Sequence, residues 1–173
     1  MQELKDRIVK EGKVLPGNII KVDGFLNHRI DTELMDHIAE EFGKHFNMDE
    51  VTMILTAEAS GIALSAIVAH HFHKPMIFAK KAKSDNIEGG LYQSDIFSYT
   101  YKKKVTLLVS KEWLSSDDKV LIIDDFMAKG NAMQGLIDLV SEAGATLKGI
   151  GVAVEKGFQG GGDRFRKIGR AHV

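Results

Sequence analysis

The sequence lacks the features that mark several common classes of protein. It contains no cysteine, which excludes disulfide frameworks, thiolate metal sites, a cysteine nucleophile and thiol redox sensing. Its 23 basic and 24 acidic residues leave a net charge of -1, so no overall basic field is available to hold a polyanion such as DNA. Residues 1–11 carry frequent charges and no apolar signal region, and no apolar run is long enough to span a membrane. We therefore expect a cytoplasmic protein that binds neither nucleic acid nor a membrane.

The composition is that of an ordinary globular domain. Of 173 residues, 44% are hydrophobic and 27% are charged, with a mean hydropathy of -0.10. Because domains contain about 100 to 200 residues, this length predicts a single domain spanning 1–173. The chain has no repeat, linker or low-complexity block that would suggest a second one.

Strand and helix patterns alternate along the chain. A helix is expected over 2–10, and Asp31 or Thr32 is expected to cap a second helix whose apolar stripe comprises Leu34, Met35, Ile38, Ala39, Phe42 and Phe46. Two strand, helix, strand units follow: 51–56, 62–71 and 76–79, then 120–123, 132–143 and 146–154. This order predicts an α/β fold with a buried parallel sheet, in which ligands bind beyond the carboxyl ends of the strands.

Three further segments have other patterns. Residues 80–90 are polar and glycine-containing, which indicates a mobile loop, and 157–162 are rich enough in glycine to predict another loop. Residues 91–109 alternate well enough for one or two strands.

Two adjacent carboxylates form the sharpest local pattern. Asp124 and Asp125 end the apolar strand, and a glycine-containing turn over 126–131 leads into a helix. Buried paired carboxylates lose solvation and repel each other, so a sugar diol, a metal or a cation is a natural partner. The helix N-terminus favours a phosphate, and the combination fits ribose 5-phosphate. A strand-end pair that only caps the helix and forms the turn is an equally open interpretation at this point.

These residues resemble the signature of the type I phosphoribosyltransferase family, an apolar strand followed by two acidic residues and a small-residue loop. Over 1–169 the chain looks like the xanthine-specific bacterial branch of that family, in segments that include Val22-Asp23, 25–28, 60–63, 122–126 and 155–159. The resemblance implies a mainly parallel central sheet flanked by helices. It also implies a small N-terminal hood of about residues 1–30 plus a C-terminal segment.

The resemblance also implies a reaction. Ribose 5-phosphate would pass from 5-phosphoribosyl 1-pyrophosphate (PRPP) to N9 of xanthine in purine salvage, with Mg2+ bound through the pyrophosphate. Xanthine and PRPP would be the ligands of a homodimer, and no protein nucleophile would be needed. The alternatives are a hypoxanthine or guanine phosphoribosyltransferase and a PRPP-sensing DNA-binding regulator. Residues 1–30 are too short and too weakly basic for the extra winged-helix domain of such regulators.

The family pattern implies roles for the ribose-phosphate residues. Asp124 and Asp125 would face the ribose hydroxyls and stabilise positive charge. The 5-phosphate would lie in a cradle formed by Ala128, Lys129, Gly130, Asn131 and Ala132. Lys129 and Ala132 stand where hydroxyl residues are common in the family, so backbone N–H groups, with the Lys129 ammonium, are expected to bind the phosphate.

The family pattern also assigns a pyrophosphate loop. This loop would consist of Glu58, Ala59, Ser60 and Gly61, where small residues let the backbone approach a polyanion. Lys81, with Lys80 and Lys83, would add positive charge at the start of the mobile loop. Without the family match, 58–61 is only a turn between strand and helix, and a lysine run is more often a solvated surface.

The purine base would meet three residues in this interpretation. Lys156 would donate to the 6-oxo group, Asn27 would bind the 2-oxo edge, and Ile20 would form an apolar wall. Each also has a purely structural interpretation, as a strand-end lysine, a turn asparagine or a core isoleucine. Phe126 would either pack on the base or belong to the core. The clustered His70, His71 and His73 are expected on the surface without a carboxylate partner, so no protein metal site is predicted.

The last six residues differ from the family pattern. Family members continue with a further strand, whereas residues 168–173 read Ile-Gly-Arg-Ala-His-Val. One reading frame of a common sequencing adapter encodes this hexapeptide. We therefore expect that the natural protein is longer than this sequence and that 168–173 are an artefact replacing its last strand. Sequencing this locus from independent genomic DNA tests the idea, and an in-frame stop codon directly after Val173 would contradict it.

Overall fold

A parallel five-stranded sheet forms the centre of the fold. The structure is a computed structural model that describes residues 1–16, 19–81, 90–98, 103–168 and 170–172. All four neighbouring strand pairs of this sheet are parallel. Across the sheet the strands are β4 (Met76–Ala79), β3 (Met53–Ala57), β7 (Lys119–Met127), β8 (Thr146–Glu155) and β9 (Arg170–His172).

The continuous apolar runs of the central strands explain their position. Residues 120–123 of β7 are fully buried, as are Ile54 and Leu55 of β3. A parallel sheet is covered on both faces, so its inner strands need apolar side chains on both sides rather than the alternation of a half-exposed strand. The predicted parallel α/β architecture is confirmed.

Helices cover one face of this sheet. Helices α2 (Thr32–Gly43) and α3 (Gly61–His71) pack here with Leu34, Phe42 and Leu64 in the core. Of the two capping residues that the sequence left open, the structure selects Asp31, whose carboxylate accepts a hydrogen bond from the Leu34 N–H at 3.2 Å.

The opposite face is covered by a helix and a hairpin. Helix α4 (Asn131–Glu142) buries Leu136 and Leu139. Antiparallel strands β5 (Leu91–Ser98) and β6 (Lys103–Ser110) pack over α4, so 91–109 holds two strands rather than one. The predicted mobile loop falls largely on 82–89, outside the described residues.

The N-terminal segment packs beside the carboxyl edge of the sheet. It consists of helix α1 (Gln2–Glu11), the hairpin β1 (Lys13–Leu15) and β2 (Ile19–Lys21), and a π-helical turn, Asp23–Asn27. Arg7 of α1 donates to the Asp31 carboxylate at 2.8 Å and lies over the Phe25 ring. These contacts and the burial of Leu4 and Phe25 hold the hood on α2.

Several predicted bounds around the acidic pair and the predicted glycine-rich loop were wrong. Strand β7 does not end at the acidic pair, because its pairing with β8 continues through Asp124 to Met127. The turn is therefore 128–130, and α4 begins at Asn131. The glycine-rich stretch 157–162 is not a plain loop: the 3-10 helix Gly157–Gln159 lies within it, and a second one, Gly162–Ile168, begins at its end. Among the described residues, no helix is long and apolar enough to cross a membrane.

Replacement of Gly135 by alanine tests the packing of the hairpin on α4. A Cβ atom at this position would lie 2.5 Å from the Ile96 Cγ2 and 2.9 Å from the Leu107 Cδ1. Overpacking costs about 1 to 3 kcal/mol, whereas alanine gains about 1 kcal/mol of helix propensity over glycine. We expect Gly135→Ala to lower the free energy of unfolding by about 1 kcal/mol in urea titrations. The control is Ser141→Ala, on an exposed position of the same helix. Equal or greater stability of Gly135→Ala would contradict this packing.

Candidate active site

A cleft of about 380 Å³ opens at the carboxyl ends of β3, β7 and β8. Its walls come from these strands, from the start of α4, from β5 and from the hood. All but Ala59 and Gly61 of the predicted site residues line it: Ile20, Asn27, Glu58, Ser60, Lys81, Asp124, Asp125, Ala128, Lys129, Gly130, Asn131, Ala132 and Lys156. Segments that lie far apart in the chain therefore meet where a parallel sheet binds its ligands.

The two aspartates form the buried floor of this cleft. Asp124 is 8% exposed and Asp125 is 2% exposed. The Asp125 carboxylate accepts hydrogen bonds from the Ser60 hydroxyl at 2.9 Å and from the Asn27 side-chain amide at 3.2 Å. A residue from the turn after β3 and a residue from the hood thus orient the same carboxylate.

Burial raises the pKa of the Asp124 carboxyl well above its ordinary value, and the neighbouring Asp125 carboxylate raises it further. The Asp125 backbone N–H donates to Asp124 Oδ1 at 3.1 Å, which partly opposes this rise. Gly61 forms the wall behind Asp124. A Cβ atom there would lie 2.4 Å from Asp124 Oδ1 and 2.2 Å from the Thr56 hydroxyl oxygen. Gly61 therefore lets α3 approach the carboxylate without itself lining the cleft.

The turn after β7 presents backbone to the cleft. Gly130 has a φ of 78°, a left-handed conformation that favours glycine, and precedes the first residue of α4. The Gln134 N–H donates to the Gly130 carbonyl at 2.9 Å, which starts the helix. The Asn131 side-chain amide donates to the Phe97 carbonyl at 3.0 Å and ties the turn to β5.

The turn after β3 also contributes to the cleft. The peptide bond between Glu58 and Ala59 is cis, and the Lys81 N–H donates to a Glu58 carboxylate oxygen. Both Glu58 and Lys81 line the cleft, whereas Ala59 does not. Lys80 pairs with Leu108 of β6 through antiparallel backbone hydrogen bonds. Lys83 lies outside the described residues.

Lys156, Ile20 and Asn27 also line the cleft. The Lys156 N–H donates to the Met127 carbonyl at 2.8 Å, and its ammonium lies 5.8 Å from the centre of the Phe126 ring. Phe126 packs against the core and also lines the cleft, and its packing on a purine base stays a prediction.

Sequence reasoning missed the contribution of β5. Ile96 and Phe97 line the cleft, together with the strand and helix residues Ala57, Met127 and Met133. Nothing local in 91–98 distinguishes a cleft residue from any other apolar residue of a strand. The contact depends on the packing of the hairpin over α4.

The histidine cluster is remote from this cleft. His70 and His73 are exposed as expected. The expected absence of a carboxylate partner was wrong, because His71 Nδ1 lies 2.7 Å from Asp36 Oδ1 of α2. Within the described ranges, no group of three or more His, Cys, Asp or Glu side chains is placed to hold a metal ion.

A known protein-family model matches most of the chain. The model for the phosphoribosyl transferase domain covers residues 25–167, from the hood to the helical turn after β8. The chain belongs to the phosphoribosyltransferase family. The match spans the acidic pair, both turns and Lys156.

Close relatives support the same assignment. The chain is 52% identical over 170 residues to the xanthine phosphoribosyltransferase of Bifidobacterium adolescentis, covering 98% of this chain and 88% of that protein. It is 53% identical over 169 residues to the xanthine phosphoribosyltransferase of Lachnoclostridium phytofermentans, covering 98% of this chain and 87% of that protein.

Solved structures share the fold at much lower identity. The crystal structure of APRTase from Giardia lamblia complexed with 9-deazaadenine has a TM-score of 0.82 and 22% identity, covering 98% of this chain and 95% of that one. The adenine phosphoribosyl transferase of Trypanosoma brucei in complex with AMP, pyrophosphate and ribose-5-phosphate has a TM-score of 0.79 and 20% identity, covering 98% of this chain and 78% of that one. At this identity the likeness establishes the phosphoribosyltransferase fold.

Removal of the Asp124 charge is expected to stabilise the protein. The folded state holds a proton on Asp124 in a pH range where the unfolded carboxyl is ionised. Stability is therefore lost as the pH rises from the ordinary pKa through the raised one. We expect Asp124→Asn to raise Tm more at pH 8 than at pH 4, with roughly 2 to 4 °C for each kcal/mol gained. The control is Asp117→Asn, at an exposed position. An equal Tm change at both pH values would contradict the raised pKa.

Proposed function

We propose that the protein transfers ribose 5-phosphate from PRPP to N9 of xanthine, giving xanthosine 5'-monophosphate and pyrophosphate in purine salvage. The observation that carries this proposal is the meeting of three groups in one cleft: the buried aspartate pair, the turn before α4, and Lys156 with the hood residue Asn27. The names of relatives about half identical over nearly the whole chain support xanthine as the base.

The aspartate pair would act on the ribose. In the reaction the bond from ribose C1 to the pyrophosphate oxygen breaks and its electron pair leaves with pyrophosphate, while a bond from C1 to purine N9 forms and the N9 proton passes to solvent. Positive charge develops on the ribose as the first bond breaks, and a carboxylate already oriented beside it lowers the barrier without reorganising. Ser60 and Asn27 provide that orientation for Asp125. Asp124 and Asp125 would be the catalytic residues.

The turn before α4 would bind the 5-phosphate. Its backbone N–H groups and the positive end of the helix dipole favour an anion. Ala128, Gly130 and Ala132 have no polar side chains, so the phosphate would depend on main-chain donors, with Lys129 adding charge. This phosphate anchor would hold C1 of the ribose at the aspartates.

The turn over 58–61 and Lys81 would face the pyrophosphate. Magnesium would arrive on the pyrophosphate of PRPP as part of the substrate, where it offsets the charge of the leaving group. Glu58 lines the cleft, and its carboxylate oxygens are the donor type that Mg2+ prefers. The backbone of the turn and the Lys81 ammonium would orient the rest of the leaving group.

Lys156, Asn27 and Ile20 would select the base. An ammonium at the end of β8 favours an oxo acceptor at purine C6 over the amino group of adenine. An amide has two N–H groups and a carbonyl oxygen, so Asn27 can contact Asp125 and the 2-oxo edge of xanthine together. Phe126 would form the apolar floor beneath Lys156.

Three further features complete the proposal. They are a homodimer, which the resemblance to the family implies, and a cytoplasmic location and a single catalytic domain over 1–173, which the composition and length predict. Analytical ultracentrifugation with and without PRPP measures the first.

Initial rates with four bases test the proposed function. With PRPP and Mg2+, we expect xanthine to be converted faster than guanine, hypoxanthine or adenine under identical conditions. Asp125→Asn removes a charge that stabilises the transition state, so kcat should fall about 100-fold. Lys156→Ala removes a charged hydrogen bond to the base, so the KM for xanthine should rise about tenfold.

The control is Lys119→Ala, an exposed lysine at the opposite end of β7, which should behave like the wild type. A faster rate with guanine or hypoxanthine would show that xanthine is not the preferred substrate and would contradict that part of the proposal. No turnover of any base by the folded protein would overturn the enzymatic function.

A further inference from the structure

A segment after β8 packs against the outer side of the turn before α4. The two close contacts involve glycines. A Cβ atom on Gly161 would lie 2.1 Å from the Ala128 carbonyl oxygen, and one on Gly130 would lie 2.6 Å from the Phe165 ring. Phe165 is 2% exposed and belongs to the core beneath α4. The backbone of 128–130 is therefore in close contact with residues 161–165.

Arg164 adds a polar connection between the same two segments. Its Nη1 donates to the Lys129 carbonyl at 3.1 Å and to the Asn131 side-chain oxygen at 3.4 Å. Its Nη2 donates to the Gln134 side-chain oxygen at 3.5 Å, and its guanidinium lies 5.3 Å from the centre of the Phe165 ring. One planar group thus bridges the turn and the first turn of α4.

The contact with the Lys129 carbonyl has a consequence for the opposite side of the same peptide. A trans peptide is planar, so its C=O and N–H groups point in opposite directions. Holding the Lys129 carbonyl toward Arg164 therefore directs the Gly130 N–H away from Arg164. Gly130 has a left-handed φ and lines the cleft. Because glycine restricts its backbone less than any other residue, the Lys129–Gly130 peptide would rotate more freely without this contact.

The side chains of this turn make the peptide orientation important. A hydroxyl side chain would give a phosphate a donor that does not depend on the orientation of any peptide. Ala128 and Ala132 have no such donor, and Lys129 supplies charge on a flexible stem. The anion-binding capacity of the turn consequently depends on its backbone N–H groups.

We infer that Arg164 is a positioning residue for the 5-phosphate site, because it orients the Lys129–Gly130 peptide so that the turn presents its N–H groups to the phosphate. This inference rests on the proposed function only in naming PRPP as the ligand. Arg164 itself binds the outer side of the turn and the start of α4. Its effect is therefore on affinity for the phosphate-bearing substrate and not on the chemical step.

The matched variants are Arg164→Met and Arg166→Met. Both remove one positive charge from the same helical turn and leave an unbranched apolar side chain. The Arg166 guanidinium, in the described part of the chain, pairs with Asp163 instead of the turn. We expect Arg164→Met to raise the KM for PRPP about fivefold, the effect of losing one or two hydrogen bonds. Its kcat, its KM for xanthine and its Tm should stay close to the wild-type values, and Arg166→Met should leave all four unchanged.

Arg164→Lys separates position from charge. It keeps the charge but lacks the planar fork that reaches three acceptors, so it should restore only part of the affinity for PRPP. Full restoration by lysine, or an equal rise in KM in Arg166→Met, would show a general charge effect and overturn the inference. So would an unchanged KM in Arg164→Met, or a loss of Tm and kcat together with the affinity.

Calorimetric binding of ribose 5-phosphate keeps this test independent of catalysis. We expect about fivefold weaker binding in Arg164→Met than in Arg166→Met. If the wild type turns over no base, the proposed function fails, but the difference in affinity still decides the role of Arg164. If the wild type is active and the two variants bind equally, only the positioning role fails.

Discussion

The burial of two adjacent carboxylates at the end of β7 is the constraint on which the site depends. Asp124 and Asp125 are kept from water by the surrounding sheet and helices, although they repel each other and lose their hydration. The structure compensates with the Ser60 hydroxyl, the Asn27 amide and the Asp125 backbone N–H. It compensates incompletely, as the raised pKa of Asp124 indicates. We expect the protein to be less stable than a variant with a neutral residue at 124, which is the usual trade between stability and activity at a functional site.

One of these hydrogen bonds connects the hood to the sheet. Asn27 lies in the π-helical turn that follows β2, and Asp125 lies 98 residues later, so their contact places the hood over the carboxyl end of β7. The hood has its own anchor on α2 through Arg7 and Asp31. Selection of the base and orientation of the catalytic carboxylate are therefore mechanically linked in the proposed mechanism, because one side chain takes part in both.

The turn before α4, the proposed phosphate site, is supported in a different way. This turn contains few polar side chains, and its backbone is in contact with Gly161, Arg164 and Phe165. At the aspartates, the donors reach the functional carboxylate directly. At the turn, the proposed support acts through the Lys129–Gly130 peptide, whose carbonyl accepts a hydrogen bond from Arg164. The positioning groups of the aspartates therefore line the cleft themselves, whereas those of the turn lie in a segment outside it.

Local patterns in the sequence determined the elements of this protein and much of its site. The apolar runs of β3, β7 and β8 and the stripe of α2 required a covered parallel sheet, because such side chains are stable only when both faces of the sheet are buried. The acidic pair beside a glycine turn, with the family resemblance, then located most cleft residues. Tertiary structure alone decided the extension of β7 to Met127, the entry of Ile96 and Phe97, and the support from Arg164. These depend on strand pairing and on packing between distant segments, which no local spacing encodes.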